Sequence, residues 1–365
     1  MLLNVGLIGC GNISGIYLEN SRYYESFTII ACADLDRTKA EEAGVKYSVP
    51  HVMDVDELIA LPDIDIVLDL TVPHAHADIA VRAIEQKKHV YSEKPLAITI
   101  EDGKRIVEKA TEYGVMAGSA PDTFLGGSIQ LAGQMIEDGV IGKIVGATAF
   151  MMSRGPESWH PNPEFFYHIG GGPMYDMGPY YLTALVSLLG PVKRLTGSAR
   201  ITYPERTITS EPKYGEKIVV QVPTHVTGIL DFEQGATATI TTSFDIAAAR
   251  TPFIEIYGEE GTISLPDPNH FHLPVLIKKN GEEEWEEIKP KTDLPENARG
   301  IGLADMAAAI ESGKSPRANG DLAYHVLEIM HGIHHSSNHG KHYEMESTCE
   351  KPRLLEKQAD FNKQK

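Results

Sequence analysis

A doubly wound α/β domain with a parallel sheet, followed by an α+β domain whose mainly antiparallel sheet leaves one face open, is the architecture this sequence predicts. Three observations carry it. Apolar strand-like runs alternate with helical stretches through the first third of the chain, which is the pattern of β-α-β units. A glycine-rich turn, Gly9-Cys10-Gly11, closes the first of these runs. In the second half hairpin signals take over, with Glu233-Gln234-Gly235 between two strand-like runs. The division is expected near residue 120, giving domains 1–120 and 121–365 of a 365-residue chain, in keeping with about 150 residues per domain.

The elements follow in order. Leu2 to Gly9 reads as a buried strand, and a helix then runs to about Asn20. Phe27 to Ala33 is the second strand and Arg37 to Lys46 the second helix. Ile64 to Leu70 is a strand entered from a Pro62-Asp63 turn, His76 to Lys87 a helix, and His89 to Ser92 a strand. Ile100 to Tyr113 and Val115 to Ser119 complete the alternation. Beyond it, helices are expected at Ile129 to Asp138 and Met174 to Leu189. Strands are expected at His225 to Phe232, Ala236 to Phe244, Phe253 to Tyr257, Thr262 to Leu265 and Val275 to Lys279. A polar tail from about Thr348 is expected to lie on the surface or fray.

Bulk composition narrows the function. Hydrophobic residues make up 42% and charged residues 23%, ordinary for a globular protein. A net charge of -18 repels phosphate backbones and anionic bilayers, so neither nucleic acid nor membrane is an expected partner. No run reaches the length of a membrane span, and the short apolar N-terminus lacks the basic flank of a signal peptide. Three cysteines, Cys10, Cys32 and Cys349, fit a reducing cytoplasm without a disulfide framework.

Gly9-Cys10-Gly11-Asn12-Ile13-Ser14 fits G-x-G-x-x-G with Ser in third place. The first glycine permits the tight turn and the second admits a pyrophosphate to the backbone. A small third residue lets helix and strand pack closely. Gly9, Gly11, Asn12 and Ile13 are therefore expected against a dinucleotide. Asp34 ends the second strand, where a carboxylate accepts hydrogen bonds from ribose hydroxyls and repels a 2′-phosphate. NAD is favoured, with NADP as the alternative because Arg37 stands close by in sequence. The competing role for Asp34 is a helix N-cap.

Two further segments carry chemistry. Glu93-Lys94-Pro95 places a carboxylate, an amine and a rigid turn at the carboxyl edge of the parallel sheet, where such sheets bind ligands. Gly170-Gly171-Gly172 leads into Asp176 and Tyr180, four apart and so on one face if one helix holds both. A tyrosine can take the proton of a secondary alcohol when a cation such as Lys94 stands beside it.

Gly9-x-Gly11, Glu93-Lys94-Pro95 and Gly170-Gly-Gly-x-x-x-Asp176-x-Gly178-x-Tyr180, in this order and spacing, resemble the Gfo/Idh/MocA family of sugar and polyol oxidoreductases. The resemblance implies an N-terminal Rossmann domain, a C-terminal α/β domain and an NAD(P)-dependent dehydrogenase acting on CH–OH. Its catalytic Lys and Asp fall on Lys94 and Asp176, and Tyr180 stands where the family more often has His. Thr71-Val72-Pro73-His74-Ala75-His76 is similar to the family's Thr-Pro-Asn-x-x-His. That similarity implies Thr71 and Pro73 on the nicotinamide side and His76 at the helix start, with His76, Glu93 and Lys94 also among the cofactor-binding residues.

Trp159 and His160, in Ser158-Trp159-His160-Pro161-Asn162, suit a sugar ring with its apolar face and rim of hydroxyls, with Lys94, Asp176 and Tyr180 on the same substrate. Arg154 or Asp122 is a further candidate for that pocket, and a loop that only packs its aromatics is the alternative. His331, His334, His335, His339 and His342 read as a solvated helix surface, with no metal site. The expected substrate is a carbohydrate or polyol, and the open sheet face implies a homodimer or homotetramer. Two other functions compete: a redox-neutral glycosidase or isomerase using tightly bound NAD, and a non-catalytic NAD-binding sensor.

Overall fold

A computed structural model describes residues 2–355; the end of the polar tail lies outside the described residues. The elements run β1 (Leu3–Ile8), α1 (Ser14–Asn20), β2 (Phe27–Ala33), α2 (Arg37–Tyr47), β3 (His51–Val52), α3 (Val55–Ala60), β4 (Ile66–Asp69), α4 (Pro73–Glu85), β5 (His89–Ser92), α5 (Ile100–Tyr113) and β6 (Ala117–Ser119). Then come α6 (Gly127–Glu137), β7 (Ile144–Met152), α7 (Pro173–Asp176), α8 (Gly178–Leu189), β8 (Val192–Arg200), β9 (Glu205–Thr207) and β10 (Lys217–Val219). The hairpin β11 (His225–Phe232) and β12 (Thr237–Ser243) follows, with β13 (Ile254–Gly258), β14 (Gly261–Leu265), β15 (Val275–Lys279), β16 (Glu286–Ile288), α9 (Ile301–Ser312), α10 (Gly320–His339) and β17 (Tyr343–Glu344).

The chain forms two compact units. The first comprises residues up to 126 with 291–324 and 352–355; the second comprises 127–290 and 325–351. In sequence the division was placed at a single point near 120. In space, residues 291–324 group with the first segment, tied to it where Asp122 accepts from Gly300 N and Gly302 N and Tyr24 donates to the Ala298 carbonyl. The first unit is built on a six-stranded sheet of order β3-β2-β1-β4-β5-β6, with every pair parallel. Chain order reverses between β1 and β4, the switch point at whose carboxyl edge open α/β sheets bind ligands. β1 is buried along nearly its whole length, as a strand covered on both faces must be. Local signals set the helix ends. Pro73 opens α4, where a missing N–H costs nothing. Thr99 caps α5 by accepting from Asp102 N, and Gly114 ends it in the left-handed region.

The second unit holds a nine-stranded sheet, order β16-β15-β14-β13-β7-β12-β11-β8-β17. It is antiparallel except for the β7–β12 pair. Along β11 the residues alternate: Val226, Gly228, Leu230 and Phe232 point into the core, while His225, Thr227, Ile229 and Asp231 keep some exposure. One face of the sheet is thus core and the other is more open. The expected single helix from Met174 to Leu189 is two helices, α7 and α8. The break at Met177 follows from Pro179, which lacks an N–H and crowds the carbonyl four residues back. Among the described residues no helix is long and apolar enough to cross a membrane.

Candidate active site

The turn after β1 is shaped by glycine. Gly9 has φ +98°, and a Cβ there would stand 2.7 Å from the Leu70 carbonyl, so any side chain would collide with the neighbouring β4 exit. Gly11 differs: a Cβ would meet nothing within 4 Å, which leaves the backbone open to a ligand. Ser14, in the third glycine's place, is buried and turns its hydroxyl back to the Gly11 carbonyl at 2.7 Å. Its hydroxyl is satisfied within the turn, which is how a residue larger than glycine fits.

This turn forms one wall of a cavity of about 720 Å³. Gly9, Gly11, Asn12, Ile13, Asp34 and Thr71 all line it. The exposed Gly11 backbone, the acidic wall at Asp34 and the size of the cavity suit a dinucleotide. Asp34 is not the N-cap of α2; Asp36 is, accepting from Thr38 N at 3.2 Å. Asp34 instead accepts from Cys10 N (2.7 Å) and Asp36 N (2.8 Å), so its carboxylate ties the glycine turn to the end of β2. Arg37, the residue that kept NADP open, turns its guanidinium to Asp54 (3.1 Å), Glu41 (3.3 Å) and the Val52 carbonyl (3.2 Å).

At the neighbouring edge, β4 and β5 run side by side with Asp69 opposite Ser92. Glu93 N donates to Asp69 O at 2.8 Å, so the Glu93-Lys94-Pro95 turn begins one strand away from the Leu70-Thr71 wall of the cavity. The Lys94-Pro95 bond is cis. The Glu93 carboxylate accepts from the Tyr17 hydroxyl (2.9 Å) and from Lys94 N (3.1 Å). Burial, then the charge of Glu93, hold the Tyr17 phenol well above its usual range, so Tyr17 remains a donor. Glu93 is therefore occupied in fixing the turn that presents Lys94. Pro73 heads α4, and His76 follows it as a fully buried residue.

Asp176 and Tyr180 belong to the second unit, Asp176 as the last residue of α7 and Tyr180 buried in the first turn of α8. Trp159 is 66% exposed. Its ring meets those of His160 and Phe166 edge-on, and His160 also meets Phe165. Beneath this loop lies a network that the sequence reading missed. Arg206, buried, donates to Glu157 (Nε, 2.8 Å), Asp245 (Nη1, 2.7 Å) and the Arg154 carbonyl (Nη2, 2.6 Å). Tyr167 donates to Glu157, and Thr224 to Asp245 at 2.7 Å. Charged residues scattered from 157 to 245 carry no local pattern, so only the fold reveals them as one cluster.

Two candidates find other partners. Asp122 is wholly buried and accepts from Gly300 N (2.9 Å) and Gly302 N (3.1 Å) at the start of α9, so it anchors that helix. The histidines of α10 are only partly the solvated surface expected. His335 and His339 are exposed, but His334 stacks on Tyr175 and His331 meets the same ring edge-on. Burial pushes His334 down to about 4. Among the described residues no group of three or more potential ligands is placed to hold a metal.

Comparison with known proteins agrees with this geometry. Residues 3–120 match the profile described as oxidoreductase family, NAD-binding Rossmann fold, and residues 129–264 match the GFO/IDH/MocA C-terminal domain. A myo-inositol 2-dehydrogenase of Thermotoga maritima is 24% identical over 72% of this chain and 74% of its own. A 1,5-anhydro-D-fructose reductase of Ensifer adhaerens is 28% identical over 87% and 90%. In structure, a levoglucosan dehydrogenase solved with NADH and levoglucosan superposes with a TM-score of 0.80, at 22% identity over 94% of this chain and 99% of that one. With both halves of the chain matched in order, the protein belongs to the GFO/IDH/MocA family and is an oxidoreductase with an NAD-binding Rossmann fold.

Proposed function

We propose that the protein is a dehydrogenase that moves a hydride between nicotinamide and a secondary alcohol of a sugar, polyol or glycoside. The observation that carries this reading is the shared sheet edge: the cavity wall at Leu70 and Thr71 and the turn holding Lys94 leave adjacent strands. NAD bound in the cavity supplies the hydride acceptor. Gly9, Gly11, Asn12 and Ile13 hold the pyrophosphate side, and Asp34 holds the adenosine ribose. Thr71, Pro73 and the Glu93-Lys94 turn bound the nicotinamide side. Tyr180 takes the hydroxyl proton with Lys94 as the accompanying cation, Asp176 orients the substrate, and Trp159 and His160 face the sugar ring. The named activities of the relatives, on inositols, anhydrofructose and levoglucosan, support the substrate class. NAD is preferred to NADP, because Asp34 lines the cavity while Arg37 is engaged by two carboxylates.

The test is an NADH-absorbance screen over inositols, monosaccharides and anhydrosugars with NAD and with NADP. Reduction of NAD by at least one polyol or sugar is expected. Lys94→Met should lower kcat by about 10²–10⁴-fold, the range for loss of an acid/base group, while NADH still binds. Unchanged turnover would remove Lys94 from the chemistry. NAD released only on denaturation, with no net NADH formed, would transfer the protein to the redox-neutral class.

We further propose a reducing cytoplasm, supported by three cysteines that are all unbridged, and a homodimer or homotetramer joined through the open face of the nine-stranded sheet.

A further inference from the structure

His76 joins the two segments on which the proposed chemistry depends. Its ring has no exposed surface. Nδ1 stands 2.8 Å from the Pro95 carbonyl oxygen, and Nε2 stands 3.1 Å from the Thr71 carbonyl oxygen. A carbonyl oxygen only accepts, so each ring nitrogen has to donate. A neutral imidazole carries one N–H. Its other nitrogen would point a lone pair at a carbonyl lone pair, in a buried place where an unmade hydrogen bond is costly. Only the ring that carries both protons satisfies the two contacts.

The surroundings supply the opposite charge. Asp69, also without exposed surface, ends β4. Its Oδ1 accepts from Thr71 N (3.0 Å) and Thr71 Oγ1 (2.6 Å), while Oδ2 has no hydrogen-bond partner. Burial raises the Asp69 carboxyl, and the charge of the His76 ring acts against that rise. The Glu93 carboxylate, bonded to Tyr17 and to Lys94 N, adds a second negative group on the side of β5, where Lys94 is the neighbouring cation. A buried cation is tolerated when it is paired and fully hydrogen-bonded.

We propose that His76 is a positioning residue held as an imidazolium, with Asp69 as its buried counter-ion, and that it locks the Thr71 loop of the dinucleotide cavity to the Lys94-Pro95 turn. It touches neither cofactor nor substrate. It sets where Lys94 stands relative to the nicotinamide side, so removing it should harm that end of the site and spare the adenosine end at Asp34.

The proposal rests on the proposed function only in its kinetic readout, and two others stand apart from it. The first is NMR of the full-length protein labelled with ¹⁵N-histidine, in which both His76 ring nitrogens should carry protons at pH 7. A single neutral tautomer overturns the proposal. The second uses His76→Gln, which keeps a donor but cannot serve both carbonyls as a cation. Affinity for NADH should fall about tenfold while affinity for ADP stays unchanged, and kcat should fall about tenfold to a hundredfold, the scale for small misplacement of a catalytic group. Equal losses for NADH and ADP, or none, overturn it. If the variant does not fold, the wild-type spectrum decides. If no sugar is oxidised but the spectrum and the NADH-to-ADP ratio behave as stated, the proposed function fails and the role of His76 stands.

Discussion

Asp122 lies wholly out of water and accepts two backbone N–H groups at the head of α9. Burial pushes its carboxyl up to about 6, above the ordinary 3.8; the two N–H groups and Arg299 pull the other way, and Glu93 adds to the rise. A folded-state value above the unfolded one means that the folded protein holds the proton more tightly. The stability this gives is complete below about pH 4 and is lost as pH rises through about 6. Asp122→Asn keeps the accepting oxygen and cannot ionise. Between pH 4 and pH 7 the variant should gain on the wild type by about 2 kcal/mol, most of a shift of roughly two units at 1.36 kcal/mol each. Urea unfolding at pH 4, 5 and 7 measures it, and parallel pH profiles would contradict it. At this scale the sequence was legible where chemistry follows a spacing. Gly9, Gly11 and Asp34 could be read because a turn and a strand end dictate their residue types. The partners of Glu93 and Asp122 could not, because Tyr17 and Gly300 are brought to them only by the fold.

Among the elements, the loop bearing Trp159 and His160 shows how a charged cluster can hold an exposed segment. Arg206 ties its start through the Arg154 carbonyl and Glu157, and Ser210 Oγ donates to the His160 carbonyl at 2.6 Å. Arg206→Met would leave Glu157 and Asp245 buried without their cation. The expected loss is about 3–5 kcal/mol, typical of a broken buried pair, read as a lower urea midpoint. Adding Glu157→Gln and Asp245→Asn should recover part of it; a midpoint unchanged by Arg206→Met would show the cluster to be idle. Element by element, legibility depended on sequence distance. The β11–β12 hairpin was readable because Gly235, at φ +100°, makes a local turn. β7 was not: Ile144–Met152 lacks flanking hairpin signals, and its parallel partner β12 lies some ninety residues on. The α7–α8 break was written in Pro179, but the apolar run across it masked the stop.

For the whole molecule, the open face of the nine-stranded sheet is the feature with consequences for assembly. Ile229 is 45% exposed on β11 beside Thr227, whose hydroxyl meets that of Thr241 across the strand pair. A half-apolar, β-branched surface of this kind suits pairing with a second copy more than it suits water. Ile229→Glu places a charge on it, on a chain already at net -18. The variant should elute at a smaller mass than the wild type in size exclusion with light scattering; identical masses would place any interface elsewhere. The two sheet types were legible in the sequence as a change from β-α-β alternation to hairpin signals. The return of residues 291–324 to the first unit was not, because an alanine-rich helix such as α9 looks the same whichever core receives it.

That return gives the protein a birth order. The carboxylate of Asp122 waits for N–H groups 178 and 180 positions further along the chain, and Tyr24 waits for the Ala298 carbonyl. On the ribosome the nucleotide-binding unit therefore cannot finish when its strands emerge, although they are made first. It stays short of its last helix while most of the second unit is being made. The second unit in turn depends on residues 325–351, so it is completed only after α9 has been made. A cofactor able to bind the early strands would then meet the nascent chain as a companion of folding, before there is any enzyme for it to serve.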